Sequence, residues 1–218
     1  MEVQIGPAVL TVHADDEVLV CDPDGRLSST KEQGFFAADT RFVSGYRLRL
    51  GRTQPVLLNS AVIQPWSARF EFTNAAVPAL AGAIPPQTLH LRLDRTVGNG
   101  VHEDYDLTNH SARAVDLEVE VSFECDFADL FDVKRGELVR RGSLQSEWDE
   151  RKGRLTTRYR HDDFERAFRI DVVDAGSDPE FANGGILFRL ALEPGATWHT
   201  CIFWIPVITD ERATRRER

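Results

Sequence analysis

The run AVDLEVEVSF sets Val115, Leu117, Val119, Val121 and Phe123 against Asp116, Glu118, Glu120 and Ser122. Only an extended chain sends alternate side chains to opposite faces, so this segment is a strand with one apolar face on a core and one acidic face in water. The same two-residue beat returns in YRLRL (46–50), in LHLRLDRTV from Leu89, and in VHEDYDL, with Val101, Glu103, Tyr105 and Leu107 in register. It returns again in RLTTRYR, AFRIDVV and ILFRLAL. Turn signals separate the runs: Asp22-Pro23-Asp24-Gly25, Gly98-Asn99-Gly100, Thr108-Asn109-His110-Ser111 and Glu193-Pro194-Gly195. Many short strands at this spacing predict an all-β, two-sheet antiparallel architecture with few or no helices. The one place for a helical turn is DPEFAN (178–183). CIFWIPVI (201–208) is apolar on both faces and predicts a strand covered on two sides, by the other sheet, a loop or a further domain.

A chain of 218 residues with 42% hydrophobic content can bury about 70% of its unfolded surface. No Gly/Ser linker, low-complexity tract or internal repeat divides it. We therefore expect a single β-sandwich domain over 1–208, followed by a charged tail or the start of a linker over 209–218. The net charge of −9 argues against a nucleic-acid surface, because phosphate binding draws its affinity from Lys and Arg. The basic residues at 134–141 and 212–218 read as solvated faces. The three cysteines, Cys21, Cys125 and Cys201, lie far apart without C-x-x-C spacing, so neither a disulfide framework nor a zinc site is implied. With free thiols, no basic leader and no long apolar run, the expected setting is cytoplasmic, without membrane contact. There Asn109-His110-Ser111 is a turn, not a glycosylation site.

The stretch FECDFADLFDVKRG (123–136) concentrates Glu124, Asp126, Asp129 and Asp132. An EF-hand starting at Asp126 would place Ala128, Leu130 and Phe131 at positions that need oxygen ligands or glycine, so that match fails. A glycosidase pair needs two carboxyl groups roughly 5–10 Å apart, and the acids supply the residue type. The structural alternative is a strand running into a loop anchored by Phe127, Leu130 and Phe131, with aspartates bonding loop amides. No G-x-S-x-G elbow, nucleophilic cysteine motif or phosphate loop appears, and Gly184-Gly185 precedes a strand as a hairpin turn. No cofactor and no metal are expected.

Three segments narrow the reading: GFFAADTRFVSGYRLRLGRTQPVLLNS (34–60), EDYDLTNHSARAVDLEVEVSFECDFADLFDVKRG (103–136) and YRHDDFERAFRI (159–170). With the opener VLVCDPDGRL, they resemble in content and order the N-terminal domain of bacterial and archaeal glycogen debranching enzymes, the amylo-α-1,6-glucosidase type. The resemblance spans about Val18 to Pro206. It implies a β-supersandwich similar to galactose mutarotase, preceding an (α/α)6 toroid that holds the family's glycosidic acids. On that basis the chain itself has no catalytic residues. Asp39, Arg41, Asp126, Asp129, Phe131 and Asp132 would shape the surface that meets the toroid, a partner chain or its α-glucan. For Asp39 and Arg41 an internal ion pair or turn brace is an equal alternative.

Two other classes remain open. A stand-alone carbohydrate-binding module would use Trp66 and Trp148 as exposed stacking platforms, whereas Trp198 and Trp204 sit at apolar strand positions. A mutarotase-like epimerase would use histidines with a carboxylate, and of the six histidines only His102 has an adjacent acid, Glu103. An apolar patch left for an absent partner would favour a homodimer.

Overall fold

In a computed structural model, residues 8–78, 83–136 and 142–208 are described. The expected tail at 209–218 and Arg140 and Arg141 of the basic cluster lie outside them. Three antiparallel sheets form the body. The first runs β1 (Leu10–Ala14), β2 (Glu17–Cys21), β3 (Gly34–Ala37), β4 (Thr40–Val43) and β11 (Ala128–Asp129). The second orders β15 (Pro179–Ala182), β16 (Gly185–Leu192), β10 (Val115–Glu124) and β5 (Gly45–Leu50). The third begins with β12 (Ser143–Asp149), β13 (Arg154–His161), β14 (Phe164–Val173) and β17 (Thr197–Ile208). It continues through β9 (Val101–Asn109), β8 (Leu89–Val97), β7 (Ser67–Thr73) and β6 (Val56–Gln64). One short helix, α1 (Leu130–Arg135), and a single 3₁₀ turn at Glu150–Lys152 are the helical content among the described residues. Among the described residues no helix is long and apolar enough to cross a membrane.

The periodicity explains the layering. In β8 the buried side chains are Leu89, Leu91, Leu93, Arg95 and Val97, and in β9 Val101, Glu103, Tyr105, Leu107 and Asn109. Strands from all three sheets meet at Trp204 of β17, which is wholly buried. Its ring lies edge-on to Phe35 of the first sheet at 6.4 Å and to Phe123 of the second at 5.3 Å, and tilted against Tyr46 at 5.3 Å. Asn109 is also fully buried, its amide donating to the carbonyls of Arg113 (2.8 Å) and Leu192 (2.9 Å), so the sequon asparagine is a turn brace.

Two local expectations change. DPEFAN is strand β15, because it pairs with the edge of β16 from Pro179↔Phe188 to Ala182↔Gly185, and ladder bonds outweigh the weak helical propensity of six residues. CIFWIPVI is covered on both faces only at its start, where Cys201 is buried on the outer face, and Pro206 and Ile208 on the inner face are half-buried and exposed respectively. Ile202 and Trp204 are buried, while Phe203, Ile205 and Val207 on the outer face are half-buried beside the polar side chains of neighbouring strands.

The β8–β9 turn has a tight glycine. Gly100 has φ +103°, a Cβ there would lie 2.1 Å from the Trp204 carbonyl oxygen, and its N–H donates to the Glu17 carboxylate at 2.8 Å. Gly100→Ala is expected to cost about 2 kcal/mol, read as a lowered denaturant midpoint at unchanged slope.

Burial also sets an alkaline limit. Desolvation pushes the Cys21 thiol from its ordinary 9.0 to about 11, although Arg95 pulls it down, and burial followed by the Glu103 charge pushes Tyr46 and Tyr105 upward. The unfolded chain therefore releases these protons before the folded one does. Their stabilising contribution is complete below about pH 9, where the unfolded thiol begins to ionise, and is lost as pH rises through the folded values. Thermal melts from pH 7 to 11 should show a flat Tm followed by a decline above about pH 9; a Tm that rises over that range would contradict this linkage.

Candidate functional site

The sequence motifs at 39–42 and 126–132 are strand partners. β11 pairs with β4 through Ala128↔Arg41 and Asp129↔Thr40, so Asp39 and Arg41 meet the acidic stretch at the edge of the first sheet. β3 and β4 are joined by Ala38 and Asp39, both at positive φ (+44° and +61°), the backbone of a tight primed hairpin turn that non-glycine residues adopt at a cost. The Asp39 carbonyl oxygen accepts from Leu130 N at 2.9 Å, which ties that turn to the start of α1.

The stretch opening at Phe123 is a corner. β10 ends at Glu124, whose carbonyl oxygen accepts from Ser44 N at 2.8 Å. The chain reverses at Phe127 (φ +52°), whose ring is buried on Phe42 and Tyr159 at 5.6 Å each. Asp126 Oδ1 accepts from Ala128 N at 3.3 Å, and Asp129 Oδ1 caps α1 by accepting from Phe131 N at 2.7 Å. Gly136, left-handed at φ 68°, closes the helix.

Arg41 lies behind this corner, fully buried. Its Nε donates to Asp126 Oδ1 at 3.2 Å and its Nη2 to Asp126 Oδ2, while Nη1 donates to the carbonyls of Lys31 (3.0 Å) and Gln33 (3.1 Å). Gly34 makes room: a Cβ there would lie 2.6 Å from Arg41 Cδ. Arg41 is thus the internal brace and presents nothing to a ligand.

In front of the brace opens a groove of about 910 Å³. Asp39, Glu124, Asp126, Asp129 and Asp132 line one side; Tyr159, His161, Phe164 and Arg166 of the β13–β14 hairpin line the other. Phe164 is 38% exposed and packs edge-on to Tyr159 at 6.0 Å, with the Arg166 guanidinium 4.5 Å from its ring centre. Asp126 is spent on Arg41, Asp129 on the helix cap, and Glu124 faces Arg47 at 3.4 Å. Asp39 and Asp132 make no side-chain hydrogen bond or ion pair with any described residue. An apolar ring opposite free carboxylates is chemistry suited to a polyol, which stacks through its C–H face and donates hydroxyls.

Four of the six residues marked in the sequence, Asp39, Asp126, Asp129 and Asp132, therefore share this groove. Phe131 does not: it is 60% exposed and points away, because anchoring falls to Phe127 and Val133. Trp148 is no free platform, since its ring stacks on Phe181 at 5.9 Å and packs on the core. Trp66 is 47% exposed, but on the β6–β7 turn outside the groove. His102 and Glu103 point to opposite faces of β9, so that neighbour pair does not form; His102 faces Asp104 at 3.4 Å. The hairpin wall was missed as a site, although YRHDDFERAFRI carries all four of its residues. None of the groove acids joins a cluster of three metal-capable side chains among the described residues.

A family model described as the N-terminal domain of some glycogen debranching enzymes matches residues 12–203. The chain belongs to that family. Among solved structures, this debranching-enzyme N-terminal domain is similar to a candidate aldose 1-epimerase from Escherichia coli K12, with TM-score 0.57 and 8% identity over 94% of this chain and 100% of that one. It is equally similar to a galactose mutarotase-like protein from Lactobacillus casei, with TM-score 0.57 and 8% identity over 91% and 100%. These likenesses give the debranching-enzyme N-terminal domain a mutarotase-like all-β fold. No curated protein matches it in sequence.

Proposed function

We propose that this domain is a non-catalytic support for a glycoside-hydrolase domain of the (α/α)6 type, carried by the same protein or a partner chain. Its groove, edged by Asp39, Asp132 and Phe164, faces that domain's α-glucan. The observation that carries this reading is the commitment of the motif residues. Arg41, Asp126 and Asp129, the centre of the two matched motifs, are committed to holding a corner in shape. The domain works as a single unit through residue 208, and its free thiols fit a reducing, cytoplasmic setting.

The exposed Phe164 ring favours a second reading, a stand-alone carbohydrate-binding module. Titration calorimetry with maltooligosaccharides separates the two, because a module binds the sugar alone and a support binds it only with the catalytic domain present. Silence at millimolar sugar removes the module. The mutarotase-like reading predicts faster anomerisation of glucose by polarimetry, and an unchanged rate removes it.

The partner surface we assign is the outer edge of β6. Val56, Leu58, Val62, Ile63 and Trp66 are exposed there, with Leu58 and Ile63 at bulges that break the ladder and turn their side chains outward. Self-association through this edge is expected to give a dimer by light scattering at high concentration, and Leu58→Lys is expected to give a monomer. A strict monomer before the substitution counts against it.

A further inference from the structure

The outer face of the eight-stranded sheet gathers a mixed donor set that the groove does not use. β9 and β17 pair so that His102 lies opposite Phe203, Asp104 opposite Cys201 and Asp106 opposite His199. Alternation puts His102, Asp104 and Asp106 on one face with Cys201 and His199. Donor atoms of His102, Asp104 and Cys201 all lie within 4.8 Å of one another. Asp104 Oδ1 is 3.0 Å from Cys201 Sγ and 3.4 Å from His102 Nε2. That Nε2 is shielded from solvent and has no hydrogen-bond partner among the described residues.

The surroundings orient these donors. Phe203 stacks on the His102 ring at 4.3 Å and 5°. His199 Nε2 stands 3.3 Å from Cys201 Sγ, and its Nδ1 is held 2.8 Å from Asp106 Oδ1. Asp106 in turn accepts from Arg92 at 2.5 Å. Asp106 thereby fixes the His199 ring beside the Cys201 sulfur, as an outer partner that orients the thiolate.

We propose that His102 Nε2, Asp104 Oδ1 and Cys201 Sγ bind a zinc ion that clips β9 to β17, with the fourth position open to water and His199 standing beside the sulfur. A set of one imidazole, one carboxylate and one thiolate suits zinc, and tetrahedral zinc with bonds of about 2.0–2.3 Å spaces its ligands roughly 3.3–3.6 Å apart. Asp104 Oδ1 already stands 3.0 Å from Cys201 Sγ and 3.4 Å from His102 Nε2, and all three donors lie within 4.8 Å of one another. Binding exchanges the thiol proton for the Zn–S bond and releases that proton to solvent. The alternative use of the same atoms, a Cys201–His199–Asp106 nucleophile, is disfavoured by Asp104, whose negative charge beside the sulfur opposes a bare thiolate but serves as a ligand once a cation is present.

The test is a cobalt titration of the purified, metal-free protein, followed by zinc. One equivalent of cobalt is expected to give a thiolate-to-metal charge-transfer band and the intense visible bands of four-coordinate cobalt, both erased by zinc. Saturating zinc is expected to raise Tm by about 5 °C. Cys201→Ser should abolish the charge-transfer band, His102→Gln should weaken binding at least tenfold, and Cys125→Ser should change neither; each variant's own melting transition verifies that it is folded. Absence of the band at saturating cobalt, or its survival in folded Cys201→Ser, overturns the site.

Discussion

Replacing Glu103 with glutamine is expected to cost about 3–5 kcal/mol, the usual result of leaving one member of a buried ion pair alone. Arg95 and Glu103 are both fully buried. Arg95 Nε donates to Glu103 Oε1 at 2.8 Å and Nη1 to the Gly25 carbonyl at 3.1 Å, whereas Nη2 lies 2.7 Å from Oε1 but off the hydrogen-bond direction. The other carboxylate oxygen accepts from Tyr105 Oη at 2.5 Å and Trp204 Nε1 at 3.0 Å. The guanidinium lies 4.7–5.3 Å from the centres of the Tyr46, Phe70 and Trp204 rings, which offset only part of its desolvation. With glutamine at 103 the cation stays buried without a counter-charge. At roughly 2–4 °C per kcal/mol for a chain of this size, Tm should fall by about 10 °C. Adding Arg95→Met removes the stranded charge, so the double variant should recover much of the loss and yield a positive coupling in a double-mutant cycle. Equal losses in single and double variants would mean that packing, not charge, holds this centre.

Arg41→Ala should cost about 2–4 kcal/mol, because it strands Asp126 and leaves the Lys31 and Gln33 carbonyls without their shared donor. Asp126→Asn should cost less, about 1–2 kcal/mol, since the Asp126 side chain keeps 20% of its surface in water and its amide still accepts one bond. Arg41→Lys should not rescue, as a point ammonium cannot span a bidentate carboxylate and two carbonyls at once. Chemical denaturation ranks the three. If Arg41→Lys matches the parent, the planar fork is not what holds the corner.

Much of this was legible in the letters, and the reasons differ by element. Alternation in β8, β9 and β10 predicted both the strands and their buried faces, because a half-buried sheet imprints a period of two. The core ion pair was written in the same code: Arg95 falls in the buried register of LHLRLDRTV and Glu103 in that of VHEDYDL. The corner at 123–136 was also foreseeable, since Asp126 and Asp129 bond loop amides as short acids after a strand do. What pattern could not supply was register across strands distant in sequence. Asp104 and Cys201 are 97 positions apart and Arg41 and Asp126 are 85, so neither pair has a local signature. Phe164 and His161 belong to the groove only because the β13–β14 hairpin crosses the corner. For DPEFAN, six residues contain too little information to outweigh the neighbour that makes them a strand.

The most direct test is to incubate the purified chain with a branched α-glucan oligosaccharide and follow released glucose. A support domain whose acids hold a corner should match the buffer blank at every pH. Glucose release that disappears in Asp39→Asn or Asp132→Asn would make the groove an active site and contradict the account.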